Sequence, residues 1–124
     1  MNQQLSLRAL VVEDEFMIRL DIEQMLAGFG FGVDGFADPR SAQAVLDKST
    51  YALALLDLGF AGGANTLALA NTVRQRGIPL IFCSGSRARP AGFEAVPFVE
   101  KPYFDEQLRR AIEAALAENL QAAE

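Results

Sequence analysis

The sequence predicts an α/β fold, a doubly wound parallel sheet of five strands with helices packed on both faces. Short apolar runs of strand length alternate with longer amphipathic runs, and this order is typical of a parallel sheet. The runs at 8–12, 52–57 and 79–83 are almost entirely apolar, as expected of strands that are covered on both faces. With 124 residues the chain can form one sizeable core, so we expect one domain over 1–124, with its core between about 8 and 120.

The strand predictions rest on short apolar runs bounded by polar, glycine or proline residues. The first, third and fourth runs are the most apolar, and the second alternates more with polar residues and glycine. The predicted strands are 8–12, 31–36, 52–57, 79–83 and 95–99.

The helix predictions rest on apolar residues at helical spacing and on residues that cap helix ends. The apolar stripe of the first helix begins at Phe16. Asp38 precedes Pro39 as the N-cap of the second helix, and Asn65 and Gly77 bound the third. The predicted helices are 15–28, 38–48, 65–77 and 104–122.

The weak unit lies between the fourth and fifth strands. Pro90 removes a backbone donor, and Gly92 weakens any helix that restarts after it. We therefore predict that the helix between these two strands, the fourth of five in chain order, is short or irregular and that Ser86–Pro97 is the most mobile structured part of the protein.

Composition excludes several classes of function. The net charge of −5 disfavours nucleic acids and anionic membranes as partners. The N-terminal segment has the features of neither a signal peptide nor a membrane anchor. Cys83 is the single cysteine, so an internal disulfide is impossible and a reducing cytoplasm is the expected location. The sequence contains no histidine, so the chemistry must rest on carboxylates, hydroxyls and a lysine.

Polar residues stand where the predicted strands end. Glu13 and Asp14 follow the first strand, Asp57 ends the third, Ser84 follows the fourth and Lys101 follows the fifth. Ligands of doubly wound sheets bind beside the carboxyl ends of the strands, so these groups should converge. Carboxylate oxygens suit a hydrated divalent ion such as Mg²⁺, which would offset the repulsion among adjacent acids. The set suits a phosphoryl group on or beside a carboxylate, stabilised by metal and lysine.

A glycine follows the hydroxyl residue of this set. The backbone amide of Gly85 can approach an oxyanion closely, because no side chain stands in the way.

The order Glu13-Asp14, Asp57, Ser84, Lys101-Pro102 resembles the receiver domain of two-component response regulators, over about residues 8 to 120. The resemblance implies a flavodoxin-like sheet with strand order 2-1-3-4-5 and a stand-alone receiver without an output domain. It implies a signalling module that takes a phosphoryl group from a histidine kinase or histidine phosphotransfer protein. It also implies Mg²⁺ as cofactor and no enzymatic activity beyond the module's own phosphorylation and dephosphorylation.

The resemblance further implies a role for each matching position. Asp57 would be the phosphoacceptor. Ser84, Gly85 and Lys101 would contact the phosphoryl group, and Pro102 would be structural beside the site. Ser84 and Phe98 would switch conformation, and a downstream protein partner would bind the face formed by 86–110. The metal ligands would be Asp14, Asp57, the backbone carbonyl of Gly59 and, mainly through water, Glu13.

The chain departs from the family pattern at three places. Ala61 stands where the family often has proline, a serine replaces the commoner threonine at 84, and Lys101 stands only 17 positions after Ser84. That interval is short for the family. The missing residues fall in the predicted short or irregular helix between the fourth and fifth strands. The stretch "FCSG" at 82–85 is similar to the Phe-Ala-Thr-Gly of a subgroup that often consists of stand-alone receivers.

Taken singly, each site residue also has an ordinary structural interpretation. Glu13 and Asp14 suit a helix N-terminus, Asp57 suits a turn and Phe98 suits the core. As a whole, the chain could be a phosphorylation-independent interaction module. It could also be an aspartate-nucleophile phosphohydrolase, but these enzymes usually carry a second aspartate where Gly59 stands.

Overall fold

A computed structural model describes the backbone of residues 7–59, 63–85, 89–101 and 103–123. Its described part contains five strands and four helices in alternating order, except that β5 follows β4 without an intervening helix. The elements are β1 Leu7–Val12, α1 Phe16–Gly28, β2 Phe31–Phe36, α2 Pro39–Leu46, β3 Leu53–Asp57, α3 Gly63–Gln75, β4 Leu80–Ser84, β5 Phe98–Glu100 and α4 Asp105–Ala123.

The five strands form one sheet in the order β2-β1-β3-β4-β5, and all four neighbouring pairs are parallel. This confirms the predicted fold class and strand order. The strand order reverses between β1 and β3, because β2 lies on one side of β1 and the later strands lie on the other. Such a reversal leaves a crevice at the carboxyl ends of β1 and β3. The register places Asp57 beside Cys83, and Ser84 beside Glu100.

The core consists of two layers, one on each face of the sheet. On one face, α1 and α4 contribute Ile22, Leu26, Leu108 and Ile112. On the other face, α2 and α3 contribute a second set, which includes Leu46, Leu69 and Val73. Two faces covered by helices explain why β1, β3 and β4 are nearly continuous in apolar residues. Among the described residues, no helix has both the length and the apolarity needed to cross a membrane.

The buried stripe of α1 differs from the predicted one. Ile22 and Leu26 are the buried residues of the helix, whereas Phe16 is 62% exposed. Phe16 stands in the first turn of the helix, and its ring lies under the guanidinium of Arg19. The stripe on α4 likewise leaves Phe104, just before the helix, exposed.

Local capping explains the end of α1 and the start of α2. The Asp38 side chain accepts a hydrogen bond of 2.9 Å from the backbone N–H of Ser41, as predicted for an N-cap. Gly30 follows α1 with a φ of 98°, a left-handed conformation that favours glycine. Asn65 is not a cap, because α3 already begins at Gly63.

The fifth strand is shorter and starts later than predicted, over Phe98–Glu100 rather than 95–99. Pro97 has no N–H to give to a ladder, although its carbonyl accepts a hydrogen bond from Phe82. Just before it, the Val96 N–H donates to the Phe93 carbonyl and closes a turn. The apolar run at 95–97 is therefore the end of a loop.

The described part of the β4–β5 connection, residues 89–97, contains no helix. This agrees with the prediction that a helix between these two strands would be short or irregular. Phe93 anchors this segment and is only 5% exposed. Its ring packs edge-on against Phe82 at 5.5 Å, and the Arg74 guanidinium lies 3.9 Å from its centroid. Ser86 and Arg87 lie outside the described residues.

Phe93→Ala is expected to lower the free energy of unfolding by about 3 kcal/mol, because it leaves a cavity beside Phe82. Val96→Ala in the same loop removes less buried surface and should cost clearly less. Urea denaturation of both variants measures the difference. Equal and small losses would show that Phe93 does not anchor the loop.

Candidate functional site

The candidate site lies at the carboxyl edge of the sheet, where β1, β3, β4 and β5 end. Asp57 is the last residue of β3 and its side chain is 2% exposed. Glu13 follows β1 directly and is fully buried. The sheet therefore holds two carboxylates side by side out of bulk water. A buried charge is costly unless an opposite charge compensates it.

Lys101 compensates both carboxylates. Its Nζ atom lies 3.1 Å from Asp57 Oδ2, to which it donates a hydrogen bond, and 2.8 Å from Glu13 Oε1. The Lys101 backbone N–H donates to the Ser84 carbonyl at 2.8 Å, which extends the β4–β5 ladder and fixes the start of the lysine side chain. The three groups thus form one ion-paired cluster.

The geometry of the cluster shifts two pKa values. Burial raises the pKa of Glu13, although the Lys101 ammonium and the Glu15 N–H act against this rise. Burial lowers the pKa of Lys101, but its contacts with Glu13 and Asp57 outweigh that effect, and the net pKa is raised. The lysine is therefore a fixed positive charge. Glu13 and Asp57 share this one ammonium.

Cys83 lies inside the same cluster, and its Sγ is within 4.8 Å of oxygen atoms of Glu13 and Asp57. Burial and the neighbouring Asp57 raise the pKa of this thiol, which therefore stays protonated. The charged donors are therefore carboxylate oxygens, the ligand type preferred by Mg²⁺. In addition, Glu13 Oε1 is buried and its charge is compensated by the Lys101 ammonium at 2.8 Å, so this oxygen lies within the charged cluster. These features fit a bound divalent cation.

Small residues leave space beside the Asp57 carboxylate. The Gly59 N–H donates to Asp57 Oδ1 at 2.9 Å. A Cβ atom at Gly59 would stand 3.3 Å from that oxygen and 4.0 Å from Ser84 Oγ. Ser84 is 6% exposed, and Gly85, directly after it, is exposed. The hydroxyl of Ser84 and the carboxylate of Asp57 thus flank the same space.

The remaining predicted residues are Asp14, Phe98 and Pro102. Asp14 is exposed and is not a member of the buried group formed by Glu13, Asp57 and Cys83. Phe98 is half-buried, with the Arg89 guanidinium 5.3 Å from its ring centroid. Pro102 lies outside the described residues.

Sequence reasoning missed two residues near the site. Arg19 donates from Nη1 to the Glu13 carbonyl at 2.8 Å. Tyr103 is buried, and burial with the neighbouring Cys83 raises the pKa of its phenol. Arg19 stands one helical turn after Glu15, a spacing that could have indicated a cation beside the acidic turn. Nothing in the sequence distinguishes Tyr103 from an ordinary core aromatic residue.

Comparison with known proteins decides the family. The family model of the response regulator receiver domain matches residues 9–113. The chain belongs to this family. As a receiver domain it is a phosphoacceptor signalling module of two-component systems.

Several solved structures are similar to this receiver domain. SdrG from Sphingomonas melonis Fr1 is 26% identical, with a TM-score of 0.79 over 91% of this chain and 99% of that chain. TrrA from Thermotoga maritima, in complex with Mg(2+)-BeF, is 23% identical, with a TM-score of 0.76 over 89% and 99%. A CheY-like receiver domain from Methylobacillus flagellatus is 19% identical, with a TM-score of 0.76 over 90% and 99%. Comparison with curated protein sequences gave no match.

Proposed function

We propose that this receiver domain accepts a phosphoryl group on Asp57 from the phosphohistidine of a histidine kinase or histidine phosphotransfer protein. The observation that carries the proposal is the contact of Lys101 Nζ with Asp57 Oδ2 at 3.1 Å, at the carboxyl end of β3. An acceptor carboxylate must be ionised to attack phosphorus, and its product carries additional negative charge. A fixed ammonium beside it favours both the ionised acceptor and the product.

The transfer step conserves charge and atoms. An oxygen of the Asp57 carboxylate attacks phosphorus and forms an O–P bond, while the N–P bond of the donor phosphohistidine breaks. The electron pair of that bond returns to the imidazole nitrogen. Lys101 and the hydroxyl of Ser84 would then hold phosphoryl oxygens, together with the backbone N–H of Gly85.

The proposal includes Mg²⁺ held by Asp14, Asp57 and the backbone carbonyl of Gly59, with Glu13 acting mainly through water. The chemistry that magnesium supplies when bound is neutralisation of negative charge on the phosphoryl oxygens. Two carboxyl groups that share one ammonium in the Glu13–Asp57–Lys101 cluster support this role, because they offer further oxygen ligands. Gly59 leaves the space beside Asp57 open, and it offers no second carboxylate for turnover of small phosphate esters.

The output of the module is a changed protein-binding face within 86–110, in the reducing cytoplasm. Ser84 would move toward the phosphoryl oxygens and Phe98 would turn inward. The contact between Arg89 and the Phe98 ring would then break. The Arg89 guanidinium would therefore take a new position on the partner-binding face. Phe104, 75% exposed, gives the same face an apolar anchor for a partner.

Beryllium fluoride with magnesium tests the proposal, because it mimics a phosphoryl group on a carboxylate. We expect saturable binding, followed by amide chemical shifts, with changes at Ser84, Gly85 and 89–101. Asp57→Asn should abolish binding. Asp38→Asn is the matched control, because asparagine keeps the N-cap of α2 and leaves the site intact. Binding that survives in Asp57→Asn would contradict the acceptor assignment.

A further inference from the structure

Arg19 joins the first helix to the turn that carries the acidic pair. It lies in α1, its side chain is 18% exposed, and its Nη1 atom donates to the Glu13 carbonyl at 2.8 Å. The guanidinium also lies over the Phe16 ring, 5.5 Å from its centroid. The arginine thus has a defined position and a main-chain partner at the edge of the cluster.

Glu23 and Gly35 also define the position of the Arg19 side chain. Arg19 Nε lies 3.9 Å from Glu23 Oε2, one turn later on the helix. Gly35 of the edge strand β2 makes room for both side chains. A Cβ atom there would lie 2.0 Å from Glu23 Oε2 and 3.3 Å from Arg19 Cδ. The Glu13 N–H donates to the Phe36 carbonyl at 3.0 Å, so β2 also contacts the acidic turn directly.

We propose that Arg19 is a positioning residue for cation binding, acting through the peptide group between Glu13 and Asp14. That peptide is planar, so holding its carbonyl oxygen fixes its plane and the direction in which Asp14 leaves it. The Glu13 carboxylate is held in the same turn, because its Oε2 accepts the Glu15 N–H at 3.1 Å. Arg19 thereby sets the relative orientation of the two acidic residues. The inference rests on the proposed magnesium-dependent function.

Loss of the Arg19 charge and loss of its hydrogen bond predict opposite changes in Mg²⁺ affinity. A guanidinium near a cation site repels the cation, so removing its charge alone would tighten Mg²⁺ binding. Removing the hydrogen bond frees the Glu13–Asp14 peptide and weakens binding, as seen when outer groups that orient ligands are lost. The sign of the change in Mg²⁺ affinity therefore separates the two effects.

We expect Arg19→Met to raise the Mg²⁺ dissociation constant about tenfold, measured by amide chemical-shift titration without any phosphoryl donor. Arg19→Lys keeps the charge but not the forked geometry and should fall between wild type and Arg19→Met. Arg76→Met is the matched control. Arg76 also donates to a backbone carbonyl, that of Leu46 at the end of α2, and it should leave Mg²⁺ affinity unchanged.

A second measurement needs no metal. Amide hydrogen exchange at Glu15 should accelerate in Arg19→Met but not in Arg76→Met, because a free Glu13 turn loses the contact between the Glu15 N–H and the Glu13 carboxylate. If Arg19→Met proves too unstable, Gly35→Ala replaces it. Its Cβ would displace Glu23 and Arg19, so it should weaken Mg²⁺ binding, and Arg19→Lys should weaken binding little further once Gly35→Ala is present.

The outcomes are distinguishable. Unchanged or tighter Mg²⁺ binding in Arg19→Met, with the wild type binding normally, overturns the positioning role alone. Absence of saturable Mg²⁺ binding in the wild type overturns the proposed function, and this inference with it. Weaker binding together with faster exchange at Glu15 supports both.

Discussion

Acetyl phosphate with magnesium is expected to place one phosphoryl group on this receiver domain, at Asp57, and none on Asp57→Asn. An amide is a poor nucleophile and forms no acyl phosphate, so uptake should fall to background. The other carboxylate of the cluster, Glu13, is fully buried and has a pKa raised by burial. It is therefore a weaker candidate than Asp57. Mass spectrometry of the intact chain and of its peptides measures the number and position of the groups.

Two controls accompany this prediction. Asp38→Asn should be labelled like the wild type, because its carboxylate caps α2 away from the cluster. A chelator should prevent labelling of the wild type, because no cation would then neutralise the negative charge of the incoming phosphoryl oxygens. A phosphoryl group on another residue, or one that persists in Asp57→Asn, would show that the acceptor has been assigned wrongly.

Lys101→Met is expected to fold but to lose about 3 kcal/mol of unfolding free energy at neutral pH in the presence of a chelator. The substitution leaves the buried carboxylates of Glu13 and Asp57 without their ammonium. The cost is mainly that of uncompensated buried charge, since methionine replaces most of the lysine's apolar stem. Added Mg²⁺ should recover more stability in the variant than in the wild type, because it neutralises the same carboxylates.

The loss should depend on pH, with a sign that follows from the two pKa shifts. The folded-state pKa of Glu13 is raised, so its protonation favours folding at low pH, and this contribution disappears as the pH rises above its ordinary value of 4.5. Without Lys101 that pKa rises further. The difference between variant and wild type should therefore shrink as the pH falls toward 4.5. The raised pKa of Lys101 stabilises the wild type below 10.5, and this benefit is lost as the pH rises through the folded-state value.

Urea denaturation across this pH range measures the effect. Lys48→Met is the control, because Lys48 is exposed in the loop after α2 and should change stability little at any pH. A Lys101→Met variant that is as stable as the wild type at neutral pH would show that the carboxylates are compensated in another way.

The sequence by itself determined the fold class and the members of the site that stand at strand ends. Continuous apolar runs identify β1, β3 and β4, and side chains that follow such strands must meet at one edge of the sheet. Glu13, Asp57, Ser84 and Lys101 could be assigned in this way because strand position alone brings them together. The irregular connection before β5 was equally predictable, since Pro90 and Gly92 act through local backbone geometry.

Only the tertiary structure decided which contacts these groups make. It placed Glu13 inward and Asp14 outward, although the two acids are adjacent and chemically alike. It also showed that β5 begins only at Phe98, because the apolar residues 95–97 belong to the loop anchored by Phe93. Arg19 contacts the Glu13 carbonyl, and Gly35 on β2 leaves space for the Arg19 side chain. Such contacts join residues distant in sequence, and their formation depends on packing geometry that no local pattern encodes.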